Sequence, residues 1–381
     1  MALPADSALN YRADTPNGGE RERGNGTLRA LDRYVGIPLV AASGVMRRRR
    51  RLPETIERIG IINGTAIGDT IVLSAVVRDI AAAHPEAETV LFASSAMVPL
   101  LRQIEGITPE PIRMASPLSA IGALRRHRFD VLIDFGSWPR VEAVYAVLSG
   151  ARYTVGLSAK GQHRHYAFDA AVERSSVRHE LDNFRLLAQV VGVTSTTEPF
   201  FRPPGVLTAG SLPSEPFVVL HLWPTGVESR LKEWPSESWR ALIDDLHGRG
   251  QHVVLTGGPA DVACSAAFAA TCAPGAVTDT AGKHSLEELA DLLGAATCVV
   301  SVNTGIAHLA AAVGVPTITL NGPTAGRRWG PIGPRAVGVD SGLAGCGYLD
   351  FGWEYKGKRR DCMQGISPDR VLQAVVDAVG T

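Results

Sequence analysis

The stretch Ile59-Gly60-Ile61-Ile62-Asn63-Gly64-Thr65-Ala66-Ile67-Gly68-Asp69-Thr70 decides how the chain is read. A short apolar run closes on Asn63-Gly64, and a helical apolar pattern opens at Ile67 and continues through Ile80. A buried strand followed at once by such a helix is the first half of a parallel βαβ unit. Outward from it the rhythm persists. Residues 89–93 and 129–134 read as strands, residues 98–104 as a short helix, and the residues after Trp138 as a helix to Leu148. Prolines and glycines between Pro199 and Pro216 then punctuate the chain as a linker does. Beyond them the alternation restarts. Residues 217–221, 252–256, 298–301 and 316–320 read as strands; helices follow from Ser236, Asp261, Ser285 and Asn303, and a last one from Pro368 to Val379. The expected architecture is α/β, two doubly wound domains facing across a cleft. Its parts are an N-terminal segment 1–56, a first domain 57–198, a linker 199–216 and a second domain 217–381. The last helix is expected to pack back on the first domain.

Composition narrows the function. At 381 residues the chain is too long for one ordinary core, given a prior of ~150 residues per domain. Hydrophobic residues at 45% and charged residues at 20% describe a globular protein. Lys plus Arg and Asp plus Glu balance at 38 each, which removes the global basic field of a nucleic-acid binder. Five cysteines are too few for a disulfide scaffold and lack zinc-type pairs. There is no Walker loop, no Gly-x-Ser-x-Gly elbow, and no Asp-x-Asp pair to hold a divalent ion on a nucleotide sugar. The chain is therefore expected to be cytoplasmic, with neither metal nor cofactor.

Three loops, each between an apolar strand and a helix, carry polar residues where an open parallel sheet binds ligands. In the first, Gly68-Asp69 opens a helix. Asp69 is either a first-turn acid interacting with the helix dipole or a carboxylate that takes a proton from a hydroxyl. The dipole favours the carboxylate and so weakens it as a base. The second runs through His221, Thr225 and Gly226 to Lys232-Glu233-Trp234-Pro235, where one lysine before a helix suits a phosphate as a compact charge. The third is Ser301-Val302-Asn303-Thr304-Gly305-Ile306-Ala307-His308, with amides at a helix start and His308 one turn inside. Gly257-Gly258-Pro259-Ala260-Asp261 runs parallel to it, and Asp261 can accept from a ribose hydroxyl. Together these loops indicate nucleotide binding. Gly68, Trp138, Arg140, His163 and Arg164 are candidates to contact an acceptor, against the alternative of solvated loop residues.

In their order these motifs, with Asn321-Gly322-Pro323-Thr324, resemble family nine of the glycosyltransferases, the lipopolysaccharide heptosyltransferases. The resemblance runs from about Glu57 to the C-terminus. It implies a GT-B fold, an acceptor-binding first domain, a nucleotide-sugar-binding second domain, and metal-independent inverting transfer, typically of heptose from ADP-heptose. Carried over by position, Asp69 matches the general base and Lys232 the lysine on the phosphates. Thr225, Gly226, Gly257, Gly258, Asp261, Asn303, Thr304, Gly305 and His308 match donor contacts. Asn303 stands where the family has an acid, and Asp261 where it more often has Glu. The implied partners are a nucleotide sugar and a glycan, glycolipid or small-molecule acceptor. Two other functions fit the same architecture, a nucleotide-sugar epimerase and a nucleotide-sugar-binding protein without turnover.

The N-terminal segment is distinct. Up to Arg58 there are eleven arginines, no lysine and seven acids. The first thirty residues have no apolar periodicity and read as disordered. The apolar stretch from Val35 to Met46 is followed at once by Arg47 to Arg51, the reverse of a secretory signal. It reads equally as a contact with an anionic membrane surface or as a helix docked on the body of the protein.

Overall fold

The computed structural model describes residues 32–46, 49–63, 66–208, 210, 212–226, 229–349 and 360–380. The first thirty residues, expected to be disordered, lie outside these residues. The chain divides into two compact units between Phe201 and Arg202.

In the first unit a π-helical turn, Asp32–Gly36, leads into α1 (Ile37–Met46). There follow β1 (Arg58–Ile62), α2 (Ile67–Ala83), β2 (Glu88–Ala93), α3 (Val98–Leu101), β3 (Ile107–Pro111) and α4 (Pro117–His127). The unit continues through β4 (Val131–Asp134), α5 (Arg140–Leu148), β5 (Tyr153–Ser158), β6 (Ala170–Glu173) and α6 (Glu180–Val190). All strand pairs are parallel, in the order β3-β2-β1-β4-β5-β6. Ile59, Ile61 and Ile62 of β1 are buried, as expected of a central strand covered by helices on both faces. Gly60 has a steric reason. A Cβ there would lie 2.6 Å from a Leu132 methyl and 2.7 Å from the Phe129 ring, so a side chain would force these core groups apart.

The second unit repeats the plan with β7 (Phe217–His221), α7 (Ser236–Gly248), β8 (His252–Thr256), α8 (Val262–Ala269), β9 (Val277–Asp279) and α9 (Leu286–Ala295). It ends with β10 (Cys298–Val302), α10 (Gly305–Val313), β11 (Thr317–Asn321), α11 (Gly326–Trp329), β12 (Ala336–Asp340) and α12 (Pro368–Val379). Its order, β12-β11-β10-β7-β8-β9, is the first sheet's order read from the other edge. Ser285 and Glu288 cap α9 reciprocally, each accepting from the other's backbone N–H.

One expectation is corrected. The last helix, α12, packs on its own domain: Val371 and Val375 are buried in the same cluster as Trp239, Leu242, Ile318 and Met363. Its apolar stripe finds a matching surface on α7 and on the β10–β12 side of the sheet it follows in sequence. A disulfide joins Cys346 to Cys362 just before that helix, a pairing the cysteine spacing had left open.

Candidate functional site

In both sheets the strand order reverses between the first and fourth strands of the unit, that is between β1 and β4 and between β7 and β10. At such a switch point the flanking loops leave toward opposite faces and open a crevice beyond the carboxyl ends. The registers align those ends, Ile62 with Asp134 and His221 with Ser301. Sequence candidates fall at both points.

In the first domain Asp69 occupies the first turn of α2 and is half-buried. The N-cap residue is Ala66, which offers no side-chain cap. Across the switch point, β4 ends in a charged cluster that is closed to solvent. Arg164 Nη2 donates to Asp134 Oδ2 at 2.5 Å and stands 3.8 Å from Glu142 Oε2. Asp134, Glu142 and Arg164 are all fully buried. Among the described residues neither oxygen of Glu142 receives a hydrogen bond, and Arg164 Nε and Nη1 donate none. Asp134 Oδ1 accepts from the Gly136 N–H at 2.9 Å. Gly136 must lack a side chain, because a Cβ there would fall 1.8 Å from Glu142 Oε2.

Burial holds the Glu142 carboxyl well above its ordinary value, and the charge of Asp134 pushes the same way; Asp69 and Asp32 add to this, while Arg164 opposes. Burial also raises Asp134, against the pull of Arg164 and the Gly136 N–H. Glu142 is therefore read as the neutral acid beside an Asp134–Arg164 ion pair. A carboxyl raised in the folded state favours folding fully below its unfolded value of 4.5, and loses that contribution as pH rises toward the folded value. Glu142→Gln keeps the neutral form at every pH. It is expected to match the wild type in thermal stability at pH 4 and to exceed it by a widening margin toward pH 8. A constant difference across that range would refute the neutral acid.

The acceptor candidates separate. Arg140 is buried, and each guanidinium nitrogen is engaged: Nη1 with Asp32 Oδ2 at 2.8 Å, Nε with the Gln162 carbonyl at 2.8 Å and Nη2 with the Gly161 carbonyl at 3.0 Å. Its backbone N–H donates to Asp32 Oδ1. Arg164 is enclosed rather than loop-exposed, because Asp134 at the strand end needs a cation. Both arginines thus act on the protein's own groups. Gly68 and Trp138 are half-buried beside the carboxyl ends of β1 and β4, and His163 sits in the left-handed region, stacked on Tyr166.

In the second domain the carboxyl ends of β8, β7, β10 and β11 lie side by side. Thr304 is the N-cap of α10 but caps no N–H with its side chain, so the first-turn amides after Gly305 remain available to an anion. His308 is buried one turn further on. Lys232 ends the 3-10 turn Ser229–Lys232, half-buried. Two residues on, Trp234 is buried and donates to the Ile366 carbonyl at 2.9 Å, which fixes the chain just after Lys232. Gly226 has φ +94°, which favours glycine at the turn carrying exposed Thr225. His221 donates to or accepts from Thr256 Oγ1 at 3.0 Å, and burial pushes it down to about 4, so at neutral pH it is an uncharged brace between strands. Asp261 is buried and its Oδ2 accepts from the Gly258 N–H at 2.9 Å, closing the Gly257-Gly258 loop. That contact makes loop closure, rather than a ribose hydroxyl, the role the geometry gives this oxygen.

Asn303 is the informative position. Its Nδ2 donates to Asn321 Oδ1 at 2.9 Å and to the Trp329 carbonyl at 3.1 Å. Two acceptors use both amide hydrogens, so the nitrogen faces the protein, and Oδ1 is the polar atom this half-buried residue keeps for another partner. Sequence reasoning did not find Asn321 and Trp329 as the partners of Asn303, nor Asp134 and Glu142 in the first domain. Asp134 at a strand end was a usable signal; Glu142 reads in sequence as an ordinary helical acid.

The model of glycosyltransferase family 9 (heptosyltransferase) matches residues 118–347, more than half of the chain. The chain belongs to glycosyltransferase family 9. The family match includes Lys232, Asn303 and His308 and begins after Asp69. Among curated relatives, lipopolysaccharide heptosyltransferase 3 of Escherichia coli is 42% identical over 102 residues, 26% of this chain and 30% of that protein. Lipopolysaccharide heptosyltransferase 1 of Salmonella typhimurium is 42% identical over 94 residues, 24% of this chain and 29% of that protein. The chain thus aligns with under a third of the length of these relatives. Solved structures extend the likeness to the whole fold. E. coli ADP-heptose lps heptosyltransferase II superposes with a TM-score of 0.67 at 20% identity, covering 85% of this chain and 98% of that one. The family 9 glycosyl transferase from Veillonella parvula gives 0.70 at 17% identity, covering 86% and 99%. The fold is therefore that of the GT-B heptosyltransferases.

Proposed function

We propose that this family 9 member transfers heptose from ADP-heptose to a hydroxyl of a lipopolysaccharide-type glycan, with inversion and without a divalent ion. The observation that carries the reading is the pair of switch points: uncapped α10 amides at the end of β10 and Lys232 in the connection after β7 in one domain, and Asp69 at the opening of α2 in the other. Related structures described as holding ADP, and ADP-2-deoxy-2-fluoro heptose, support the choice of donor. The α10 amides and the Lys232 ammonium take the diphosphate charge, the part a metal plays where an Asp-x-Asp pair is present. The acceptor oxygen bonds to the anomeric carbon as the bond from that carbon to the diphosphate breaks, its electron pair leaving with the nucleotide. Asp69 takes the hydroxyl proton late, when bonding has made the hydroxyl acidic, which tolerates a weak base.

Asn303 offers the donor sugar an uncharged acceptor. A carboxylate in its place would set an anionic oxygen against the Trp329 carbonyl and Asn321 Oδ1, where the amide now donates. The test is a thermal-shift panel of ADP, ADP-heptose and other nucleotide sugars, followed by transfer to a truncated lipopolysaccharide core. ADP-heptose at about a hundred times its Kd should stabilise the donor domain by ~2.7 kcal/mol. Asn303→Asp should weaken ADP-heptose by roughly tenfold or more through the unmet hydrogen bonds, and ADP itself much less. No shift with any ADP-linked ligand sinks the donor assignment. Tight donor binding without transfer to any acceptor would instead mark a binding protein.

A further inference from the structure

The sequence presented the 35–46 segment as either a docked helix or a membrane contact, and the structure shows a helix with two apolar faces. The inward face is docked. Val40 and Gly36 are buried, Gly36 lies against the Arg140 side chain, and Gly44 lies against Tyr166 so closely that a Cβ there would meet the Tyr166 carbonyl at 2.8 Å. The segment is pinned at both ends. Asp32 holds Arg140 through two contacts of 2.8 Å, and the Arg50 N–H donates to Asp169 Oδ1 at 2.9 Å. This is a fixed part of the first domain rather than a detachable arm.

Among the described residues the outward face has no internal partner. Tyr34 is 76% exposed, Leu39 51% and Val35 44%; Pro38 and Ala42 are also exposed. These positions share one side of the helix by i, i+4 spacing, and no charged residue interrupts them. Immediately beyond, Arg49, Arg50 and Arg51 are exposed. An apolar helix face leaving solvent on one side and followed by clustered arginines has the chemistry of an interfacial anchor: shallow apolar insertion plus attraction to anionic headgroups.

We propose that this face seats the first domain on an anionic lipid surface, with the helix lying in the headgroup plane and Arg49 and Arg51 on the phosphates, while the Arg50 guanidinium stands 3.9 Å from Asp169. No described helix is long and apolar enough to cross a membrane, so the contact lies on the surface. A second copy fits worse. Five side chains fall well short of the ~800 Å² per partner of a stable interface. The proposal is independent of the sugar chemistry.

Cosedimentation of the full chain with vesicles tests it. Binding is expected to phosphatidylcholine vesicles containing about a third phosphatidylglycerol, lost at high salt, and absent with phosphatidylcholine alone. Tyr34→Ser with Leu39→Ser, and separately Arg49→Glu with Arg51→Glu, should each weaken binding by about tenfold or more with the thermal transition unchanged. Val35→Ser alone gives a milder probe should the double change unfold the segment. Absence of wild-type binding, binding by either variant pair as tight as the wild type's, or equal binding to the neutral vesicles overturns the proposal. So does sedimentation as a dimer that the Tyr34 and Leu39 changes dissociate, which would assign the face to a second copy.

Discussion

Asp69→Asn is expected to lower the rate of transfer at saturating donor and acceptor by about 10²- to 10⁴-fold, the range for loss of a general base. The amide matches the carboxylate in size and cannot take the proton. Its position in the first turn of α2 means the change also removes a favourable helix-dipole interaction, worth about 0.3–1 kcal/mol. That loss is small beside domain stability, so the variant should fold. Because Asp69 and the α10 amides belong to different domains, the thermal shift given by ADP should persist. The informative combination is intact nucleotide binding with lost transfer. A rate within about threefold of wild type would remove Asp69 from catalysis, while loss of both binding and transfer would point to misfolding.

The second large effect concerns stability. Arg164→Met should destabilise the first domain by about 3–5 kcal/mol at neutral pH, because it strands the Asp134 carboxylate in a site closed to water. For a domain of this size that is on the order of a 10 °C fall in its thermal transition. The guanidinium also lies 6.0 Å from the Phe168 ring centre, a contact Met keeps only as packing. The deficit should shrink in acid, since Asp134 is already raised by burial and can be neutralised there. Asp134→Asn combined with Arg164→Met should recover part of the loss, as replacing both partners removes the stranded charge. A shift of under about 1 kcal/mol for the single change would mean that water reaches the cluster and that the pair is not buried in solution.

These two predictions differ in how far sequence could carry them. Asp69 was legible because a strand-to-helix junction has a local signature, with an apolar run, Asn63-Gly64 and then a helical period. Arg164 was not. Its neighbours His163 and His165 made the loop look solvated, and its partners stand 30 and 22 residues away in sequence, at the end of β4 and within α5. The same limit shows in the sheets. Central strands β1, β4, β7, β8 and β10 are continuous apolar runs because both faces are covered, and they could be read directly. Edge strands were harder. β3 is Ile-Thr-Pro-Glu-Pro, which only an edge position tolerates, and β9 has three residues.

Sequence by itself determined the doubly wound class, the order of the loops and the placing of Asp69, Lys232 and Asn303 in strand-to-helix connections, because period and turn chemistry act within a few residues. Tertiary structure alone decided which charges are enclosed, which way the Asn303 amide points, where the last helix packs, and that the helix before the arginine run is docked on one side and open on the other. Each of these depends on contacts between residues far apart in the chain, where burial strengthens or penalises a charge according to neighbours that no local pattern records.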